Sequence, residues 1–341
     1  MNQHRLVTEP TPAWQQRLAD VITNPQELLA QLNLQADQVG LQAPGSLDFP
    51  LRVPREFVAR MRVGDPQDPL LLQVLPTQQE LLAMPGYSQD PLQEQQVNPL
   101  PGLIHKYQGR VLLTITGACA INCRYCFRRH FAYEDNNPGR TGWLKIVDYV
   151  AADPSINEII FSGGDPLVAK DALLAHIIEP FAALGQIKRL RIHTRLPIVI
   201  PQRITAELIS LLQSTGLQVV VVVHANHPQE VDAAVSQSLR ALGEAGITVL
   251  NQAVLLKGVN DDATILAELS EKLFSAGCLP YYLHLLDKVA GSAHFDVPLQ
   301  RAREIIWTLS QQLPGYLVPK LVREIAGLKS KVPVDVAVAS R

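Results

Sequence analysis

Cys119, Cys123 and Cys126 fall within eight residues, in the run GACAINCRYCFRR. Thiolates spaced C-x3-C-x2-C can hold three irons of a four-iron, four-sulfur cube and leave the fourth iron without a protein ligand. An open position on a reducing cluster is a place where a small molecule can dock and take an electron. Structural zinc is the competing reading, but it asks for four closed ligands, commonly arranged as C-x2-C pairs. Here the only other cysteine is Cys278, and the nearest imidazole is His130. Three clustered cysteines cannot pair among themselves, so a disulfide framework is a poor account of them. A second stretch with chemical content is SGGDP at Ser162 to Pro166, which follows the apolar run EIIF. Glycines let a backbone approach a ligand closely, and Asp165 offers an acceptor for an ammonium group. Alone this is an ordinary turn; its weight comes from lying after a strand and downstream of the cysteines.

Such groups need a frame to hold them. From Val111 onward, short β-branched runs alternate with longer amphipathic ones: VLLTIT, EIIFSG, RLRIHT, QVVVVVHA, ITVLNQAVLL and LPYYLHLL are the expected strands. Between them, WLKIVDYVAA, LVAKDALLAHIIEPFAALG, ITAELISLLQSTG, PQEVDAAVSQSLRALGEAG and DDATILAELSEKLFSAG carry helical periodicity, and LQRAREIIWTLSQQL follows. Gly216, Gly246 and Gly277 close helical runs where a left-handed residue is needed. Near-continuous apolar strands alternating with helices indicate an α/β fold with a parallel sheet buried on both faces. Repeated six times, the unit points to a partial six-stranded (β/α) barrel, whose chemistry belongs at the C-terminal ends of the strands. The cysteine loop follows the first strand and GGD ends the second, so both fall on that face. Residues 1–103 read as a mostly helical N-terminal extension packing on the barrel of residues 104–315, with a possible homo-oligomer contact. Residues 316–341 read as an extended C-terminal segment ending in a loop.

Composition excludes several roles. With 341 residues, 47% of them hydrophobic, the chain can bury a large core. A net charge of −2 gives no footprint for nucleic acid. No apolar run is long enough to span a membrane, and MNQHRLVTEPTPAWQQ lacks the apolar centre of a signal peptide. Clustered, unpaired cysteines suit a reducing compartment, so a cytoplasmic location is expected.

The cysteine spacing, the tyrosine before the last cysteine (Tyr125) and the GGD segment together resemble the radical S-adenosylmethionine superfamily. That resemblance implies a [4Fe-4S] cluster whose open iron binds S-adenosylmethionine, with reductive cleavage to methionine and a 5′-deoxyadenosyl radical. Gly163, Gly164 and Asp165 would then contact the bound cofactor. Further stretches, including NPLPGLIHKYQGRVLLTIT, RLPIVIPQRIT, HPQE, QAVLLKGVND and KLVREIAGLKSKVPV, resemble the lysine 2,3-aminomutase family across most of residues 64–335. This implies pyridoxal 5′-phosphate as a second cofactor, held by a Schiff base to Lys331, with Lys329 as the rival lysine. Lys106, Tyr107 and Arg110 match the positions that hold its phosphate, and Lys106 stands where an arginine is usual. Gln252 falls among the cofactor contacts. Arg128 matches the arginine that grips the substrate α-carboxylate, a bidentate task. Asp287 and Glu324 match the acids that receive a side-chain ammonium, which favours L-lysine as substrate. Glu324 departs from the aspartate usual there.

The implied reaction moves the amino group of L-lysine from Cα to Cβ. The resemblance is greatest to the short bacterial branch whose members make β-lysine for a ligase that attaches it to elongation factor P, with a reductant such as flavodoxin. The chain ends ten residues after Lys331, which fits that branch. The alternatives are a lysine 2,3-aminomutase of metabolism, a radical enzyme without pyridoxal phosphate, and a zinc-bearing scaffold.

Overall fold

A computed structural model describes residues 12–43 and 49–335 of the chain. Its centre is a nine-stranded sheet whose strands neighbour one another in strict sequence order. Strand β1 (Leu103–Tyr107) leads in and turns antiparallel into β2 (Arg110–Thr116). From β2 the strands run parallel: β3 (Glu158–Gly163), β4 (Arg189–Thr194), β5 (Gln218–Val223), β6 (Thr248–Val254), β7 (Leu279–His284) and β8 (Lys320–Arg323). The two-residue β9 (Val332–Pro333) returns antiparallel to β8. Among the described residues β1 and β9 do not pair, so the barrel is partial.

Helices α1 (Gly139–Ala152), α2 (Asp171–Ala182), α3 (Ala206–Ser214), α4 (Ala233–Glu244), α5 (Ala263–Ser275) and α6 (Leu299–Gln312) fill the six crossovers from β2 to β8. The six strands expected from sequence are β2 to β7. The C-terminal segment adds β8 as a further parallel strand, and LIHKY, read only as part of a motif, is β1.

Local sequence explains the elements. In β3 every residue after Glu158 is buried, as a strand covered on both faces requires. In α4, Val235, Ser238, Leu239 and Leu242 are buried at i, i+3, i+4 and i+7, one stripe of a helix. Asp232 caps α4 through the Val235 N–H, and Gly246 lies just beyond the helix with φ +80°. Thr205 and Asp262 cap α3 and α5 in the same way.

The N-terminal residues carry their regular structure chiefly as short helices, Ala13–Ala19, Pro25–Gln31, Arg55–Val58 and Pro69–Leu72. Trp14, Leu28, Phe57 and Leu70 join the same apolar core as the strands. Polar anchors tie the segment to the strand ends: Arg60 Nη2 donates to the Ile198 carbonyl at 2.7 Å, and Arg52 Nε donates to the Cys119 carbonyl at 2.8 Å. The cysteine loop is therefore held between this segment and β3.

Gly164 sets the closeness of that packing. A Cβ there would sit 2.3 Å from the Ala118 carbonyl oxygen in the cysteine loop. In the glycine's place two backbone bonds form, Gly164 N to Thr116 O at 2.7 Å and Asp165 N to Ala118 O at 2.8 Å. Gly164→Ala should lower stability by roughly 1–3 kcal/mol and reduce iron bound per chain after reconstitution. Urea unfolding and iron analysis check this; an unchanged midpoint with full iron loading would contradict it.

Candidate active site

The loops at the C-terminal ends of the strands enclose a cavity of about 510 Å³. All three clustered cysteines line it, as do Lys106, Tyr107, Arg110, Arg128, Gly163, Gly164, Asp165, Gln252, Asp287, Glu324 and Lys331. Lys329 is exposed and is not among its lining residues.

At the cysteine end none of the thiols is in a disulfide. Burial, reinforced by the neighbouring sulfurs, pushes the Cys126 thiol up to about 11 and raises Cys119 as well. Thiolates there need positive charge, from a cluster or from the protein. Arg195 supplies some: its Nη1 donates to Cys123 Sγ at 2.7 Å, while Nη2 reaches Gln73 Oε1 at 2.7 Å and Glu230 Oε2 at 3.0 Å. No three His, Cys, Asp or Glu side chains among the described residues converge as ligands of a single metal ion would. A cube distributes three thiolates over separate irons, and three unpaired cysteines on one cavity wall fit that donor set.

Asp165 faces the same end, but its carboxylate is already engaged. Oδ1 accepts from Thr194 Oγ1 at 2.6 Å and Leu167 N at 3.0 Å; Oδ2 accepts from Arg195 N at 2.7 Å and Leu196 N at 3.0 Å. Burial raises its carboxyl while these donors pull the other way. The side chain expected to take an ammonium thus also fastens the start of the Leu196 turn to β3. Beside it, Gly164 approaches the cysteine loop at Ala118 and Gly163 approaches β2 at Thr114 and Thr116, the near neighbours that exclude a side chain there.

Across the cavity runs a row of alternating charges. Arg128 pairs with Glu94, Glu94 with Lys106, Lys106 with Glu324, and Glu324 with Lys331. The Lys331 Nζ–Glu324 Oε2 contact is 2.8 Å, and the Tyr107 hydroxyl donates to Glu324 Oε1. Lys331 also lies 5.8 Å from the Tyr282 ring centre, and Arg110 lies 4.5 Å from that of Tyr107. Although burial favours the neutral acid, Lys331 and Lys106 hold Glu324 well below the usual carboxylate range. Glu324, matched from sequence to a substrate ammonium, is therefore occupied by the chain's own ammonium. Asp287 differs: its side chain accepts no hydrogen bond from the described residues. Burial, with the Glu324 charge adding to it, pushes its carboxyl up to about 7.

Sequence reasoning did not single out Glu94, Arg195 or the histidines His193, His224 and His284, all of which line the cavity. His224 Nε2 lies 3.1 Å from Gln252 Nε2. His193 Nε2 and His284 Nε2 are buried without a partner among the described residues. Burial lowers all three imidazoles, His224 to about 3, so they are neutral at pH 7. Each lies at or just past the end of β4, β5 or β7, where RLRIHT, QVVVVVHA and LPYYLHLL turn polar; that position in a parallel barrel is the signal that could have found them.

Residues 113–269 match the model of the Radical SAM superfamily. The chain is 52% identical over 334 residues to an L-lysine 2,3-aminomutase of Escherichia coli, covering 97% of each chain. The Haemophilus influenzae L-lysine 2,3-aminomutase is 50% identical over 93% of this chain and 94% of its own. The chain belongs to the lysine 2,3-aminomutase family of radical S-adenosylmethionine enzymes. A Clostridium subterminale L-lysine 2,3-aminomutase is 37% identical over 82% of this chain and 67% of its own. The chain is thus an isomerase of this family, which uses a [4Fe-4S] cluster, S-adenosylmethionine and pyridoxal 5′-phosphate. Of the two lysines the sequence offers for the pyridoxal aldehyde, Lys331 lines the cavity with the three clustered cysteines and Lys329 does not.

Asp287 makes a pH prediction. Its carboxyl is raised above the unfolded value near 3.9, so the stability it contributes is full at low pH and is lost as pH rises through about 7. Relative to Asp287→Asn, which cannot ionise, the cofactor-free wild type should lose roughly 1.4 kcal/mol between pH 6 and pH 8. Urea unfolding of both proteins across that range measures it. A constant difference between them would contradict the assignment.

Proposed function

We propose that the protein converts L-lysine to β-lysine, with Lys331 as the pyridoxal-phosphate lysine. The observation that carries this reading is that Arg128, Lys331, Asp287 and the three cysteines share one cavity of about 510 Å³. The space is of the size that takes a cofactor with a small substrate. When bound, the cluster with S-adenosylmethionine supplies a carbon radical that removes hydrogen from the substrate, and pyridoxal phosphate supplies the conjugated system that lets nitrogen migrate.

The side chains have separable tasks. Arg128 binds the α-carboxylate, and Asp287, whose side chain accepts no hydrogen bond from the described residues, receives the side-chain ammonium. Lys106, Tyr107 and Arg110 lie where a phosphate would be held; Lys106 offers charge without the bidentate fork of arginine. Glu324 holds Lys331 Nζ in place at 2.8 Å. Were Lys331 Nζ bonded to the pyridoxal aldehyde, Glu324 would be free to meet an incoming substrate ammonium. His193, His224 and His284 offer hydrogen bonds without adding charge. The N-terminal segment contributes Gln73, which accepts from Arg195, and Glu94, which pairs with Lys106.

In its finer form the reading makes the β-lysine a substrate for a ligase that modifies elongation factor P. Its support is the motif resemblance and the higher identity to the E. coli and H. influenzae relatives than to the clostridial one. A cytoplasmic setting with a flavodoxin-like reductant accords with free cysteines and with the lack, among the described residues, of a helix able to cross a membrane.

The test is anaerobic: protein reconstituted with iron and sulfide receives pyridoxal phosphate, S-adenosylmethionine, reductant and L-lysine, and β-lysine is sought by mass spectrometry. Cys126→Ala should abolish S-adenosylmethionine cleavage. Lys331→Ala should keep its iron, lose the pyridoxal absorbance band and form no β-lysine. Cleavage of S-adenosylmethionine by the wild type without β-lysine would remove lysine as the substrate.

A further inference from the structure

Glu94 lies outside the motifs that carry the chemistry, in a one-turn helix of the N-terminal segment (Glu94–Val97). Its carboxylate is nevertheless 3% exposed and meets cations from two parts of the cavity. Arg128 Nε donates to Oε2 at 2.7 Å and Arg128 Nη2 to Oε1 at 2.9 Å, a side-on bidentate pair. Lys106 Nζ lies 2.9 Å from Oε1. The remaining Arg128 nitrogen, Nη1, donates to Ser162 Oγ at 3.0 Å. The guanidinium plane is further bounded by Phe127, whose ring centre is 4.8 Å from Cζ.

Counting donors shows what this leaves. A guanidinium carries five N–H groups, and three are used by Glu94 and Ser162. One remains on Nη1 and one on Nη2. Glu94 occupies the Nε–Nη2 edge, so the spare Nη2 hydrogen faces the Nη1–Nη2 end, where Ser162 takes one of the two hydrogens on Nη1. A ligand carboxylate can therefore bind Arg128 without displacing Glu94. Glu94 also offsets the guanidinium charge, so the ligand gains chiefly from directed hydrogen bonding. A buried ion pair is a weak source of stability compared with apolar packing, which makes a purely structural purpose for Glu94 a poor explanation of its placement. Burial would raise the Glu94 carboxyl, yet Arg128 and Lys106 hold it below the usual range, so it stays charged beside them.

We propose that Glu94 is a positioning residue that turns the Nη1–Nη2 end of Arg128 toward the substrate's α-carboxylate and so sets selectivity for an amino acid over a simple diamine. This rests on Arg128 being the carboxylate anchor. Through Lys106, the same carboxylate ties that subsite to the residues placed at the phosphate end.

The test compares L-lysine with cadaverine (1,5-diaminopentane), which has the same amines and no carboxylate. Calorimetry on the cluster- and pyridoxal-loaded protein, without S-adenosylmethionine, gives both affinities for wild type, Glu94→Gln and Glu94→Asp. The wild type should prefer L-lysine. Glu94→Gln should lose about tenfold of its L-lysine affinity, the worth of one directed charge-assisted bond, and keep cadaverine within about twofold. Glu94→Asp should recover part of the loss. Retained cadaverine binding also shows that the variant is folded. Equal loss of both ligands would make Glu94 merely structural, and tighter L-lysine binding would make it a competitor for Arg128; either overturns the proposal. A wild type that does not distinguish the ligands overturns the reading of Arg128 itself, and this inference with it.

Discussion

A charge removed from water has to meet an opposite charge or be neutralised, and the cavity is organised around that requirement. Its catalysis-bearing side chains are cations and thiols set in a largely buried space. Three of its cations are matched by carboxylates: Arg128 by Glu94, Lys331 by Glu324, Arg195 by Glu230. Asp287 has neither an ion pair nor a side-chain hydrogen bond among the described residues, and burial raises its carboxyl instead. The site therefore reads as a set of pairs, with one acid left for a ligand to complete.

Most of the counter-charges come from outside the catalytic motifs. Glu80 holds both Arg124 and Arg129 beside the cysteine loop, and Glu94 holds Arg128 and Lys106. Both glutamates belong to the N-terminal segment, which is thereby part of the site as well as a cover for it. Its short helices are anchored by Arg52 and Arg60 to backbone carbonyls at the strand ends. Removing this segment would leave several guanidinium groups buried without anions, a cost of about 3–5 kcal/mol for each broken pair.

What could be read in the sequence follows from the range of each interaction. The strands β2 to β7 and their helices were legible because burial on both faces writes a continuous apolar run, as in QVVVVV. The cysteines were picked out by spacing and Lys331 by resemblance, and all four line the one cavity. The partners of those residues were not legible. Glu94 reaches Arg128 over 34 positions, and Tyr107 reaches Glu324 over 217; no periodicity encodes such pairings. The same holds for Glu324, whose type and place suggested an acceptor for substrate but whose nearest cation is Lys331. LIHKY was hard to read as a strand because only its first two residues, Leu103 and Ile104, are buried, so its pattern lacks the alternation of a half-buried strand.

The partial barrel has a seam between its first and last strands. No backbone ladder crosses that seam among the described residues. Side chains cross it instead: Tyr107 and Lys106 on β1 both reach Glu324 at the end of β8, and Glu324 in turn holds Lys331 at the start of β9. A backbone ladder is indifferent to the chemistry beside it, whereas this fastening includes Lys331, the lysine proposed above to hold pyridoxal phosphate. On that proposal, the mechanical closure of the barrel and its covalent state are linked through one carboxylate. How firmly the two margins of the sheet are latched becomes a property that cofactor loading can change, with no rearrangement of the strands themselves.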